Sequence, residues 1–159
     1  MKRLEDLFPK IMSNAPILVV EDNPDDELLM MRSFKKNNIA NEIVIARDGV
    51  EAIDYLFGRG MHEGRDPRQL PALILLDLKL PRVSGFEVLK EIRTNKITSL
   101  VPVVILTSSA EDKDIIEGYG LGANSYVRKP VDFEDFVEAT GKLSVYWLLI
   151  NRPAPVGNV

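Results

Sequence analysis

The sequence contains no cysteine. That absence excludes disulfides, thiolate metal ligands and cysteine nucleophiles, and points away from an oxidising compartment. Histidine occurs once, at His62. It falls in a polar stretch and reads as a surface residue rather than a phosphodonor or ligand. An excess of basic charge is also missing: the net charge is -4, which argues against nucleic acid as the main partner. No apolar run reaches the ~18 residues of a membrane span. The opening MKRLEDLFPKIM carries acids at Glu5 and Asp6 and lacks the apolar segment of a signal peptide. A soluble, cytoplasmic protein that binds no membrane is therefore expected.

What is present suits one globular unit. The chain has 159 residues, 45% of them hydrophobic and 28% charged, enough for a real core and too few for two comfortable domains. We expect an N-terminal extension over 1–14, one domain over 15–150 and a short proline-bearing tail over 151–159, with no room for a DNA-binding domain.

Short apolar runs alternate with stretches of helical period, as in a parallel sheet covered by helices on both faces. The runs are Ile17 to Val20, Ile43 to Ala46, Ala72 to Leu76, Val103 to Leu106 and, more weakly, Ser125 to Val127. Their continuous hydrophobicity is what strands buried on both sides need. Helix starts are marked by Asn23 before Pro24, by Asp48 before Gly49, and by Ser84 with Glu87 three residues later as a capping box. A fourth helix is expected from about Glu111 to Tyr119, and a fifth from about Asp132 into YWLLI. The stretch from Gly58 to Leu70, GRGMHEGRDPRQL, reads as a long exposed loop.

The segment LVVEDNPDDE, residues 18 to 27, sets five carboxylates at the end of the first apolar run. Asp25, Asp26 and Glu27 fall in the first helical turn, where negative charge complements the macrodipole. Glu21 and Asp22 precede the cap and are not explained that way. In an open α/β sheet, chemistry gathers outside the carboxyl ends of the strands. Reading those ends gives Glu21 and Asp22, then Asp77, Thr107 and Lys129. Three acids brought close together repel unless a cation joins them, and a hard divalent ion such as Mg²⁺ is the natural candidate. Phosphoryl transfer would use such a set, with Asp77 as nucleophile and the metal, Lys129 and Thr107 on the phosphoryl oxygens.

The segments VVEDNPDD, LLDLKLPRVSG, VVILTSS and GANSYVRKP resemble, in order and spacing, the four signature segments of two-component response-regulator receiver domains. The likeness spans roughly Ala15 to Leu149, and the long loop with the ending YWLLINRPAP is similar to single-domain regulators of phytochrome-type sensor kinases. The resemblance implies a doubly wound, five-stranded, flavodoxin-like sheet in the order 2-1-3-4-5. It implies that Asp77 accepts a phosphoryl group from a histidine kinase, and that Glu21, Asp22, Asp77 and the Lys79 carbonyl hold Mg²⁺ or Mn²⁺. Thr107 and Tyr126 would be a switch pair, Lys129 would pair with the acylphosphate, and Lys129-Pro130 would be cis. Such a protein is not an enzyme beyond its own phosphorylation and dephosphorylation. Glu21 stands where many members have aspartate.

Other readings are weaker. A haloacid-dehalogenase-type phosphohydrolase needs an acid two residues after its nucleophile, and Lys79 occupies that place. A receiver-like module that binds without being phosphorylated remains the second alternative. GYGLG, from Gly118, follows no strand and reads as a turn rather than a nucleotide loop. Pro24 and Glu27 are incompatible with an EF-hand. Along the fifth helix, Phe133, Phe136, Val137, Thr140, Leu143 and Trp147 share an inward face, while Val145, Tyr146, Leu148, Leu149 and Ile150 wrap the other sides. Two arrangements would cover them: a homodimer through the fourth and fifth helices, or Leu4, Leu7, Phe8 and Ile11 folding back within one chain.

Overall fold

The computed structural model describes residues 15–155. The elements are β1 (Ile17–Val20), α1 (Pro24–Lys36), β2 (Ile43–Ala46), α2 (Gly49–Phe57), a 3₁₀ turn (Gly60–His62), β3 (Leu73–Leu76), α3 (Gly85–Thr94), β4 (Val103–Thr107), α4 (Asp112–Gly120), β5 (Ser125–Arg128), α5 (Phe133–Val145) and a π turn (Tyr146–Ile150). The sheet is parallel throughout, in the order β2-β1-β3-β4-β5. Among the described residues no helix is long and apolar enough to cross a membrane.

Every residue of β1, β3 and β4 is buried. Successive side chains on a strand point to opposite faces, so each apolar run feeds two cores at once. Ile17, Val19, Leu73, Leu75, Val104 and Leu106 pack with Met30 and Phe34 of α1 and Phe136 of α5. Leu18, Val20, Ile74, Leu76, Val103 and Ile105 pack with Ala52 and Leu56 of α2 and with Val88, Leu89 and Ile92 of α3. Helices thus cover both faces, and continuous hydrophobicity follows from that.

The expected caps are present. Asn23 Oδ1 accepts from the amides of Asp25 (2.9 Å) and Asp26 (3.3 Å). Asp48 accepts from Glu51 N at 2.8 Å, and Ser84 from Glu87 N at 3.3 Å. Only this half of the expected capping box forms at Ser84; Glu87 makes no return bond to the Ser84 amide among the described residues. Strand ends differ slightly from expectation. Ala72 stays outside β3, while Thr107 and Arg128 pair with each other as the last rungs of β4 and β5.

Three readings are corrected. GYGLG is a turn only in its last two residues: Gly118 to Gly120 close α4, in keeping with the helix expected to about Tyr119, and Leu121 and Gly122 turn away from it. A Cβ on Gly118 would lie 2.7 Å from Ile105 Cδ1 and 3.3 Å from the Tyr126 ring, so a larger residue there would need Ile105 to shift. The faces of α5 are also shifted. Phe133, at the helix start, is exposed, whereas Leu148 is buried beside Trp147. The π turn explains the second change, since its wider turn rotates the following side chains inward relative to α-helical spacing. Finally, the Lys129-Pro130 bond is trans, as no described peptide bond is cis; trans is the intrinsically favoured isomer even before proline.

The loop after α2 is ordered rather than merely exposed. The Arg65 guanidinium lies 3.9 Å from the Tyr55 ring centroid and donates to Tyr55 O at 2.9 Å, while His62 meets the same ring edge-on. His62 is thereby a packing residue of this loop. Leu4, Leu7, Phe8 and Ile11, expected to fold back on this end of the chain, lie outside the described residues.

From β1 the chain runs outward to β2 and then returns across β1 to β3, so the topological switch lies between β1 and β3. Glu21 and Asp22 leave β1 at that point, and Asp77 leaves β3 beside them.

Candidate functional site

Backbone hydrogen bonds extend the sheet ladder one residue beyond the strands, and this is what fixes the site. Glu21 N donates to Ala46 O at 2.9 Å, Asp77 N to Val20 O at 3.0 Å and Lys129 N to Thr107 O at 2.7 Å. Each polar residue is therefore held by the neighbouring strand rather than by a free loop. The start of α3 adds a second restraint. Gly85 N donates to Leu78 O at 3.0 Å, and a Cβ on Gly85 would come within 2.2 Å of Asp77 O. Glycine at this position lets the helix abut the Asp77 backbone.

The side chains converge on one ammonium. Lys129 Nζ donates to Glu21 Oε1, to Asp77 Oδ2 at 2.9 Å and to Asp26 Oδ2 at 2.8 Å. An ammonium has three N–H groups, and each has a carboxylate here. Glu21, Asp77 and Lys129 are buried, whereas Asp22 is exposed at the rim. Carboxylate oxygens of Glu21, Asp22 and Asp77 lie within 4.8 Å of one another. Lys79, Ser108 and Asp22 line the same open cleft as Asp77 and Lys129, and Lys79 N approaches Asp77 Oδ1 at 3.4 Å. Four carboxylates thus surround one cation, an acid excess with oxygen-only donors that suits a hard divalent ion.

Burial and charge separate the two central acids. Burial raises the Glu21 pKa most strongly, the Asp77 charge adds to it, and Lys129 opposes both; the result is a carboxyl pushed up to about 7. Burial also acts upward on Asp77, but the charge and hydrogen bond of Lys129 outweigh it and hold Asp77 below the ordinary carboxylate range. Lys129 is driven the other way from what burial alone would do, since its bonds to Asp26 and Glu21 raise its pKa. At neutral pH the site therefore presents an ionised Asp77 beside a firmly charged ammonium.

Thr107 is fully buried; its Oγ1 has no partner within 3.5 Å, yet it lies close enough to Asp77 for its hydroxyl to help lower that carboxyl's pKa. Two residues on, Ser109 O accepts from the Tyr126 hydroxyl at 2.9 Å, and Ser109 Oγ donates to Asp114 Oδ2 at 2.6 Å. The loop from β4 to α4 thus links Thr107 to Tyr126 and to the first turn of α4.

The structure brings together Glu21, Asp22, Asp77, Lys79, Thr107 and Lys129, and places Tyr126 one strand away on the same edge. Asp26 is the residue that sequence reasoning missed. Its dipole role is real, but its side chain also reaches Lys129. The available signal was position: it lies in the first turn of the helix that springs from the Glu21-Asp22 strand end.

Residues 17–140 match the response regulator receiver domain family. The chain is 43% identical over 140 residues to a probable methanogenesis regulatory protein FilR2 of Methanothrix harundinacea, covering 87% of this chain and 88% of that one. It is 40% identical to response regulator Rcp1 of Synechocystis sp., covering 86% and 92%. The crystal structure of the Mn²⁺-bound form of response regulator Rcp1 superposes with a TM-score of 0.81 at 36% identity, covering 88% and 99%. That of the phosphorylated cyanobacterial phytochrome response regulator RcpA gives 0.82 at 33%, covering 88% and 98%.

The raised pKa of Glu21 has a measurable consequence. A carboxyl whose folded-state pKa exceeds its unfolded value favours the fold while protonated. Its contribution is complete below the model-peptide value of 4.5 and is lost as pH rises through about 7. In EDTA, urea unfolding should show stability declining between about pH 5 and about pH 7.5 by on the order of 2 kcal/mol. Glu21→Gln should remove most of that decline.

Proposed function

The chain belongs to the response regulator receiver family, and from that premise we propose that it is a stand-alone regulator whose phosphoacceptor is Asp77. The single observation that carries this assignment is the three-way hold of Lys129 on Glu21, Asp26 and Asp77 at the switch point of the sheet. It sets an ionised nucleophile beside a cation and in an open cleft.

An Asp77 oxygen attacks the phosphorus of a kinase phosphohistidine. The O–P bond forms as the N–P bond breaks, and the departing electron pair stays on the imidazole nitrogen, which takes up a proton. Lys129 shifts a hydrogen bond from Asp77 to a phosphoryl oxygen, a charge-assisted contact. Thr107 Oγ1, near Asp77 but without a bond within 3.5 Å at rest, moves toward the phosphoryl group and donates to one of its oxygens. Tyr126 then leaves Ser109 O and turns its ring into the space that Thr107 vacates, altering the surface of α4 and β5. Glu21, Asp22 and Asp77, with the Lys79 carbonyl, would hold Mg²⁺ or Mn²⁺; the oxygen cluster supports this, as does the Mn²⁺ in response regulator Rcp1. When bound, the cation would supply positive charge against the charge that develops on the phosphoryl oxygens. Water later attacks the phosphorus, the bond to the Asp77 oxygen breaks, inorganic phosphate leaves and the carboxylate is restored, so the chain acts catalytically only on itself.

A sensor histidine kinase is the donor, and a phytochrome-type kinase is favoured by the likeness to the phytochrome regulator RcpA. The output is a change in protein binding in the cytoplasm. Ile116 and Tyr119 on α4 are exposed, as are Tyr146, Leu149 and Ile150 beyond α5, which supports a homodimer through these two helices.

Intact-protein mass after incubation with acetyl phosphate tests the assignment. The wild type should gain one phosphoryl group only with Mg²⁺ or Mn²⁺, and Asp77→Asn should gain none. A gain that persists in Asp77→Asn places the acceptor elsewhere. Sedimentation of the phosphorylated and unmodified protein tests the output: the mass should rise with concentration in one of the two forms and stay monomeric in both for Tyr146→Ala with Ile150→Ala. Monomers throughout the wild-type series would exclude the dimer.

A further inference from the structure

We propose that Asp26 is a positioning residue that keeps the Lys129 ammonium aimed at the phosphoryl group once the other two carboxylates have been diverted. This rests on the reading of Asp77 as phosphoacceptor. The three acids on Lys129 are not equivalent. Glu21 and Asp77 belong to the oxygen cluster with Asp22, whereas Asp26 does not. A divalent cation therefore draws on Glu21 and Asp77 and weakens their pull on Lys129. Phosphorylation then turns the Asp77 carboxylate into a mixed anhydride and removes the carboxylate's own charge. Asp26 undergoes neither change.

The bond from Lys129 to Asp26, 2.8 Å in length, is thus the one that persists through the cycle. Its base is rigid. Asp26 sits in the first turn of α1, with its amide held by Asn23 Oδ1 at 3.3 Å, and α1 packs on the sheet through Met30 and Phe34. Lysine is a point charge on a flexible stem with rotatable donors. A fixed acceptor on one N–H restricts where the other two can point, leaving them for the phosphoryl oxygens. The side chain of Asp26 is 24% exposed, so Asp26→Asn, which keeps its shape, controls for the packing that Asp26→Ala removes.

The test compares the full-length wild type with Asp26→Ala, which removes the acceptor, and Asp26→Asn, which removes the charge but keeps an acceptor oxygen. The maximal rate of phosphorylation by acetyl phosphate at saturating Mg²⁺ should fall about tenfold in Asp26→Ala, the size of one lost hydrogen bond to a charged group. Asp26→Asn should recover most of it, and the Mg²⁺ dissociation constant from calorimetry should move much less than the rate. A second readout is independent of transfer: the ¹⁵N-ammonium NMR signal of Lys129 in the Mg²⁺-loaded protein. A slowly exchanging signal in the wild type and Asp26→Asn, lost in Asp26→Ala, is expected. A signal unchanged in Asp26→Ala, or equal rates for the Ala and Asn variants, would overturn the proposal. If the wild type takes up no phosphoryl group, the reading of Asp77 fails instead, while the ammonium signal still reports on Asp26.

Discussion

One buried ammonium holds the site together. Lys129 lies among Glu21, Asp26 and Asp77, and without it three carboxylates, two of them buried, would face each other in a region of low polarity. The rest of the architecture follows from keeping those groups at that spacing. Ladder bonds beyond β1, β3 and β5 pin the backbones, Gly85 lets α3 close on Asp77, and the Asn23 cap starts α1 so that Asp26 reaches the lysine. The arrangement is deliberately short of positive charge. Lys129 satisfies the acids one N–H at a time, leaves Glu21 pushed up to about 7, and so makes a divalent cation welcome. A site neutralised by more lysines would be more comfortable and less reactive.

The connection from chemistry to output runs through one loop. Thr107 has a buried hydroxyl with no partner within 3.5 Å, directed near Asp77; Ser109 two residues later receives the Tyr126 hydroxyl, and Asp114 in the first turn of α4 receives the Ser109 hydroxyl. In the proposed mechanism an acceptor arriving on Asp77 gives that hydroxyl a shorter, charge-assisted bond, which is a physical reason for Thr107 to move. Gly118 keeps α4 close over Tyr126, so a rotation of that ring is felt by the helix.

Much of this was legible in the sequence because strand ends are. Continuous apolar runs located β1, β3 and β4, and Glu21, Asp22, Asp77 and Thr107 stand at their carboxyl ends, with Lys129 after the weaker run of β5. Asn23-Pro24 and Asp48-Gly49 located helix starts for a local reason, the capping of free amides. What was not legible depended on contacts across the chain. Asp26 has a sufficient local explanation in the helix dipole, and only the distance to Lys129, 103 positions along the sequence, reveals its second partner. The turn reading of GYGLG holds for Leu121 and Gly122 alone, since Gly118 to Gly120 end α4 with Gly118 set close against Ile105 and Tyr126. The burial of Leu148 required the π turn, which α-helical periodicity does not anticipate. The loop from Gly58 to Leu70 looked unstructured by composition, yet Arg65 and His62 find Tyr55.

If Asp77, Lys129 and Thr107 form one phosphoryl site dependent on a divalent cation, a crystal structure with Mg²⁺ and beryllium trifluoride, which mimics an aspartyl phosphate, will show it. The fluoride group should sit on Asp77, with Lys129 Nζ and Thr107 Oγ1 each bonded to a fluorine and Tyr126 released from Ser109 O. Beryllium fluoride bound to another carboxylate, or absent with Mg²⁺ present and Lys129 still bonded to Asp77, would contradict it.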